Sequence, residues 1–294
     1  MKRAIIFFVI LTLCISMFST TVFAFENETS TDMAFTAGSA GMFCLDENNA
    51  EHFISADEIL AYNVPNTVAL PSHVFPSVNL QSSLDITSTK KYTPIVLVKA
   101  VFHYTDKPSE TRRGTGAFIG PSGILTCAHV LYDKENAVWA SEVSVMTKYN
   151  FGSYDNIYYR KEIMIGAEYK NSNLDDWGII TINETSKVGY YGFRAAENAD
   201  EVDRLPVTLV GFTPYEGDLE LMKSDGVLKA SRTLGRVLPH VYSTCKVSEG
   251  MSGGPYLENT AYVRGIVTMT HNIESQGLLI NTWLKNALYE HSGR

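Results

Sequence analysis

Three short stretches of the 294-residue sequence hold the residue types that acyl transfer through a serine requires. The first is Gly250-Met251-Ser252-Gly253-Gly254-Pro255. Glycines on both sides of a serine let the backbone turn tightly and leave the hydroxyl exposed. The amides of Gly250 and Ser252 can then point into one concavity and meet a developing oxyanion. The second stretch is Leu125-Thr126-Cys127-Ala128-His129-Val130, where an apolar strand pattern runs into an imidazole. A neutral imidazole with a pKa near 6.5 is a usable base at neutral pH. The third is Asp175-Asp176-Trp177-Gly178-Ile179-Ile180, an acid directly ahead of an apolar strand. Asp176 is preferred as the acid that orients the imidazole, with Asp175 as the alternative. Each stretch also has an ordinary reading: a glycine turn, a structural histidine, a loop aspartate. The other six histidines, His52, His73, His103, His240, His271 and His291, fit that ordinary reading better.

These groups need a scaffold, and the sequence patterns it as short strands. Ile95 to Tyr104 is a long β-type run, and Gly116 to Ile119 and Ile124 to Thr126 flank the turn Gly120-Pro121-Ser122-Gly123. Trp177 to Ile182 follows, then a polar linker from Ala195 to Asp203. Further strands are expected at Val207 to Phe212, Val227 to Ala230, Val241 to Cys245, Ala261 to Met269 and Gly277 to Ile280. The chain closes with NTWLKNALYEH, which reads as a helix capped by Asn281. Short strands broken by turn signals, with one terminal helix, predict an all-β fold of two barrels.

Composition narrows the function class. Hydrophobic residues make up 45% of the chain and charged residues 19%, with a net charge of −8 and no lysine or arginine cluster. That balance gives no support for nucleic-acid binding. No metal-ligand set and no phosphate-cradling glycine loop occur, so no metal or cofactor is expected.

The N-terminal region reads differently. Met1-Lys2-Arg3 is a short cationic start, Ala4 to Leu13 is almost wholly apolar, and Val22-Phe23-Ala24 suits signal peptidase. Residues 1–24 are read as a signal peptide, and the apolar run is too short for a spanning helix. A secreted protein without stable membrane association is expected. Residues 25–77 are polar and punctuated by Pro65, Pro71 and Pro76, with a serine-capped helix at SADEILAY, and are read as a prosegment. Of four cysteines, Cys14 leaves with the leader and Cys44 falls in the prosegment. Cys127 and Cys245 remain, as a bridge or as two small buried thiols.

Taken together, the stretches GTGAFIGPSGILTCAHV, DDWGIITI, TLVGFTPYEGD, GMSGGPYL and YVRGIVTM resemble the chymotrypsin-like serine peptidases, and within them the bacterial glutamyl endopeptidase family. The order His, Asp, Ser along the chain is that of the chymotrypsin type. The resemblance spans roughly Val78 to Asn286. It implies two six-stranded Greek-key barrels, residues 78–194 and 195–294, with the active site in the cleft between them. It implies a zymogen-derived, monomeric endopeptidase acting on polypeptides through an acyl-enzyme. His129 is then the general base, Asp176 its orienting acid, Ser252 the nucleophile, and Gly250 and Ser252 the oxyanion donors. Lys246, six positions before Ser252, falls where the resemblance puts the base of the specificity pocket, and a cation there would attract an acidic side chain. Val267 and Thr268 fall on the pocket-wall strand that pairs with an extended substrate. Met251 and Val267 depart from the pattern: relatives carry an aspartate at the first position and, in the glutamyl family, a histidine at the second. A catalytically silent binding module on the same fold is the alternative.

Overall fold

Runs such as Ile95–Phe102 (IVLVKAVF) alternate or saturate with β-branched residues, and these favour the pleated, buried surface of a strand. The computed structural model describes residues 41–60, 67–68, 85–172, 174–230, 238–271 and 274–294. The expected signal peptide lies outside these residues. Strands Glu142–Thr147, Ile95–Phe102, Glu110–Phe118, Gly123–Thr126, Gly178–Ile182 and Asn156–Gly166 pair in that order. The last returns to the first and closes a six-stranded antiparallel barrel. In the long strand Asn156–Gly166, residues 156–159 pair with Glu142–Thr147 and residues 160–165 with Gly178–Ile182, the second pairing carrying a register shift between Arg160 and Glu162.

A second barrel closes in the same way. Strands Pro255–Glu258, Pro206–Tyr215, Asp218–Ala230, His240–Ser243, Glu274–Leu279 and Tyr262–His271 pair in order, and the ends meet. Gly192–Arg194 runs parallel to the start of Tyr262–His271. Both barrels and their closure are as the sequence predicts. The strands Glu142–Thr147 and Asn156–Gly166 were not foreseen.

The C-terminal helix spans Thr282–Glu290. The Asn281 side chain caps it, accepting from the Leu284 N–H at 2.9 Å. Its apolar face packs with the first barrel's core, where the Trp177 and Trp283 rings meet edge to face at 5.3 Å. The helix thus packs against Trp177, the residue next to Asp176.

Residues 41–60, within the region expected to be a prosegment, are woven into the first sheet. Strand Gly41–Leu45 pairs with Ile163–Gly166 on one side and with Glu51–Ser55 on the other. Met42, Cys44, Leu45 and Ile59 are buried in the barrel's core. Arg160 donates to the Asp46 carbonyl, and Lys170 and Trp139 both bond Glu51. The serine cap foreseen at Ser55 is present: Glu58 and Ser55 bond each other reciprocally at the start of Ala56–Leu60.

Candidate active site

The strand Gly123–Thr126 ends at Cys127, and a single helical turn, Ala128–Leu131, carries His129 over the end of the first barrel. Two bonds to one carboxylate fix it. The His129 backbone N–H donates to Asp176 Oδ1 at 2.9 Å, and Nδ1 lies 2.7 Å from Oδ2. An ionised carboxylate only accepts, so Nδ1 carries the proton and Nε2 keeps its lone pair. Asp176 is buried, with its side chain 7% exposed, and the imidazole is 32% exposed. Burial lowers the His129 pKa, but the charge and hydrogen bond of Asp176 outweigh it and raise the group above its ordinary value. Arg112 holds the same turn from outside: it donates to the His129 carbonyl at 3.2 Å and pairs with Asp133 at 3.0 Å and Glu110 at 2.7 Å.

Asp175, the alternative acid, does not reach the imidazole. Its backbone sits at φ 55° and its carboxyl is turned into the protein, where the Leu238 N–H donates to it. Burial pushes that carboxyl up to about 7.

Ser252 lies in the loop before strand Pro255–Glu258, in the second barrel. Gly250 and Gly253 have φ of +85° and +84°, a region open to glycine and strained for other residues. A side chain at Gly253 would also meet the Thr115 carbonyl oxygen at 2.2 Å. Met251 is fully buried and sits against Gly211. Within the loop, the Met251 N–H donates to the Ser248 carbonyl, the Gly253 N–H to that of Val267, and the Gly254 N–H to that of Met251. Among the described residues, no protein acceptor takes the N–H of Gly250 or Ser252.

His129, Gly250 and Ser252 line one cavity of about 410 Å³, together with Arg113, Pro214 and Leu219. A smaller cavity of about 240 Å³ adjoins it at Ser252 and Glu249 and is walled by Ser248, Val267, Thr268 and Met269. Imidazole, hydroxyl and glycine turn, set far apart along the chain, therefore open on one cleft between the barrels. Such a set can take a proton from a hydroxyl, let it attack a carbonyl, and hold the oxyanion with backbone amides.

The remaining sequence candidates divide. Val267 and Thr268 line the smaller cavity, and a bulge in the strand falls at Thr268. Lys246 is exposed and is not among the lining residues; its backbone N–H donates to Ser224 Oγ at 2.8 Å. Glu249, which the sequence did not single out, is the ionisable side chain on that cavity's wall. Cys127 and Cys245 are unbridged buried thiols. The Cys127 thiol donates to the Val267 carbonyl at 3.2 Å, and burial with the nearby Asp176 pushes its pKa well up. Although Cys127, His129 and Asp176 bring ligand atoms within 4.8 Å of one another, that thiol is a neutral packing group and the imidazole is committed to Asp176. Arg112 and Thr115 were also missed, although Thr115 lies within the GTGAF stretch.

The trypsin-like peptidase domain matches residues 114–266. No curated protein matches the chain. Solved structures share its fold. A Glu endopeptidase in complex with MPD superposes with a TM-score of 0.59 at 17% identity, covering 74% of this chain and all (100%) of that one. Protease Anisep from Arthrobacter nicotinovorans gives 0.58 at 14% identity, over 71% of this chain and 99% of that one. The scabies mite inactivated protease paralogue S-I1 gives 0.53 at 13% identity, over 70% of this chain and 98% of that one.

Proposed function

Since the chain belongs to the trypsin-like peptidase family and is a serine endopeptidase, we propose that His129, Asp176 and Ser252 are the groups that cut the peptide bond. The observation that carries this reading is the 2.7 Å bond holding the His129 ring by Nδ1, with Ser252 on the same cavity. His129 Nε2 takes the proton of Ser252 Oγ as that oxygen bonds to the scissile carbonyl carbon. The carbonyl's π pair moves to oxygen, and the N–H groups of Gly250 and Ser252 hold the oxyanion. Collapse breaks the C–N bond, and the imidazolium gives its proton to the leaving amine. Water, deprotonated by the same imidazole, then releases the acyl group from Ser252. Asp176 stays ionised throughout, fixing the tautomer and stabilising the imidazolium.

The protonated imidazole must face the leaving amine. The larger cavity, which His129 lines, thus takes residues after the cut, and the smaller one takes the side chain before it. An acidic preference at that side chain rests on the resemblance to the glutamyl endopeptidase family and on Lys246. The place of Lys246 outside the cavity's lining, and the Glu249 carboxylate on it, weigh against that preference. A peptide series varied only before the cut is expected to show neutral side chains turned over faster than glutamate, with Lys246→Ala changing little. Fastest cleavage after glutamate, lost in Lys246→Ala, would restore the acidic preference.

The reading includes export through residues 1–24 and a maturation cut in the stretch between Val74 and Lys91. Among the described residues, no helix is long and apolar enough to cross a membrane. Because strand Gly41–Leu45 is paired on both edges, a cut in that stretch leaves residues 41–60 bound. Edman sequencing of the purified enzyme is therefore expected to yield two N-termini in equal amounts, one starting before residue 41. A single terminus in the 74–91 stretch would show that the hairpin is shed.

A further inference from the structure

Resting on the serine-nucleophile reading, we infer that Thr115 is a positioning residue that holds the Ser252 loop in its reactive shape and registers it against the strand leading to His129. Thr115 is fully buried on strand Glu110–Phe118 of the first barrel. Every polar group it owns is spent across the cleft or on the neighbouring strand. Its N–H donates to the Ser252 carbonyl at 2.8 Å. Its hydroxyl donates to the Gly250 carbonyl at 3.0 Å and accepts the Phe212 N–H at 2.8 Å. Its carbonyl accepts the Thr126 hydroxyl at 2.8 Å, three residues before His129.

The two carbonyls that Thr115 binds flank the two residues whose conformation decides the site. Fixing the Gly250 carbonyl sets the peptide plane between Gly250 and Met251. Fixing the Ser252 carbonyl sets the plane after the nucleophile. With both carbonyls drawn toward strand Glu110–Phe118, Met251 is pinned in the core and the Gly250 and Ser252 amides are left unpaired among the described residues. The hydroxyl is the part that matters here. A backbone group can reach the Ser252 carbonyl whatever the side chain, but only an oxygen at this position can bridge Phe212 N–H to the Gly250 carbonyl. Thr126 then ties the same residue to the histidine's strand, so one side chain and its peptide set the spacing of base and nucleophile across the two barrels. A misplacement near 1 Å at such a site costs about 10²-fold in rate.

The test compares Thr115→Val with Thr115→Ser in the full exported enzyme, with Thr115→Ala standing in should the valine variant fail to fold. Thr115→Val or →Ala is expected to lower kcat about 10²-fold with KM within about threefold, the pattern of a group that acts through transition-state geometry. Thr115→Ser keeps the bridge and is expected to hold kcat near wild type. The pH at which kcat/KM half-rises should stay put in all three, since the His129–Asp176 pair is untouched. A serine variant as slow as the valine one would show that the methyl's packing matters, not the hydroxyl. Unchanged kcat in Val or Ala, or loss confined to KM, would also overturn the inference. Hydrogen exchange of the 248–254 amides reads the same hold without turnover. Faster exchange in Val or Ala but not in Ser is expected, and unchanged exchange would count against Thr115. If instead the wild-type enzyme cleaves nothing while these exchange rates shift as expected, the serine-nucleophile reading fails and the loop's dependence on Thr115 stands.

Discussion

Ser252→Ala and His129→Ala are each expected to lower kcat by a factor of about 10⁴ or more, with KM little changed, and the double variant is expected to be no worse than either single one. The reason is that nucleophile and base act as one unit. Without the imidazole the hydroxyl keeps its proton, and without the hydroxyl the imidazole has nothing to activate. Removing the second partner then costs little more. Residual hydrolysis would come from binding and from the Gly250 and Ser252 amides, which these substitutions leave in place. Steady-state kinetics on one extended peptide, with thermal unfolding as the folding control, checks this. Multiplying losses in the double variant would mean that the two residues do not share a step.

Asp176→Asn is expected to lower kcat about 10⁴-fold. The isosteric amide presents N–H groups as well as an oxygen to Nδ1, so the ring can take the tautomer with its proton on Nε2, where it cannot accept from Ser252. The pH profile should move with it. In the wild type, burial lowers the His129 pKa but the Asp176 carboxylate raises it by more, so it lies above the usual value of about 6.5. The base works when neutral, so kcat/KM should rise with pH through that raised pKa. Loss of the carboxylate should bring the rise to lower pH. Stability follows the opposite sign. A raised folded-state pKa stabilises the protein below the unfolded value of about 6.5, and that gain is lost as pH climbs through the folded pKa. The difference in Tm between wild type and Asp176→Asn should therefore be larger at pH 6 than at pH 9. An acid limb that stays in place would mean that Asp176 does not set the protonation of His129.

The candidate site was legible in the sequence because the chemistry proposed for it is local. Glycines at 250 and 253 are required by positive φ, and those positions announce the turn around Ser252. His129 follows, and Asp176 precedes, a strand whose apolar pattern is plain. The choice between Asp175 and Asp176 was not local: it depends on a left-handed backbone at Asp175 that turns its carboxyl toward Leu238.

What stayed hidden was long-range. Thr115 finds its partners at Phe212 and Gly250, 97 and 135 residues away, so nothing near it in sequence marks its role. Strand Asn156–Gly166 carries Arg160, Lys161 and Glu162 across a register shift, which breaks the alternation a strand should show. The hairpin at Gly41–Ser55 lies in the stretch read as a prosegment and its outer strand is largely exposed, yet its inner strand buries Met42, Cys44 and Leu45. The reach of Lys246 toward a substrate side chain is not local either, because counting back from Ser252 fixes a backbone position and not the direction of a side chain.

The central claim is that Ser252 is a hydroxyl activated by His129. Its most direct measurement is mass spectrometry of the exported enzyme after treatment with a peptidyl phosphonate. One covalent adduct, mapped to Ser252, is expected to form in the wild type and to be absent from Ser252→Ala and His129→Ala. Folded, processed enzyme that takes no adduct, or takes it on another residue, would contradict it.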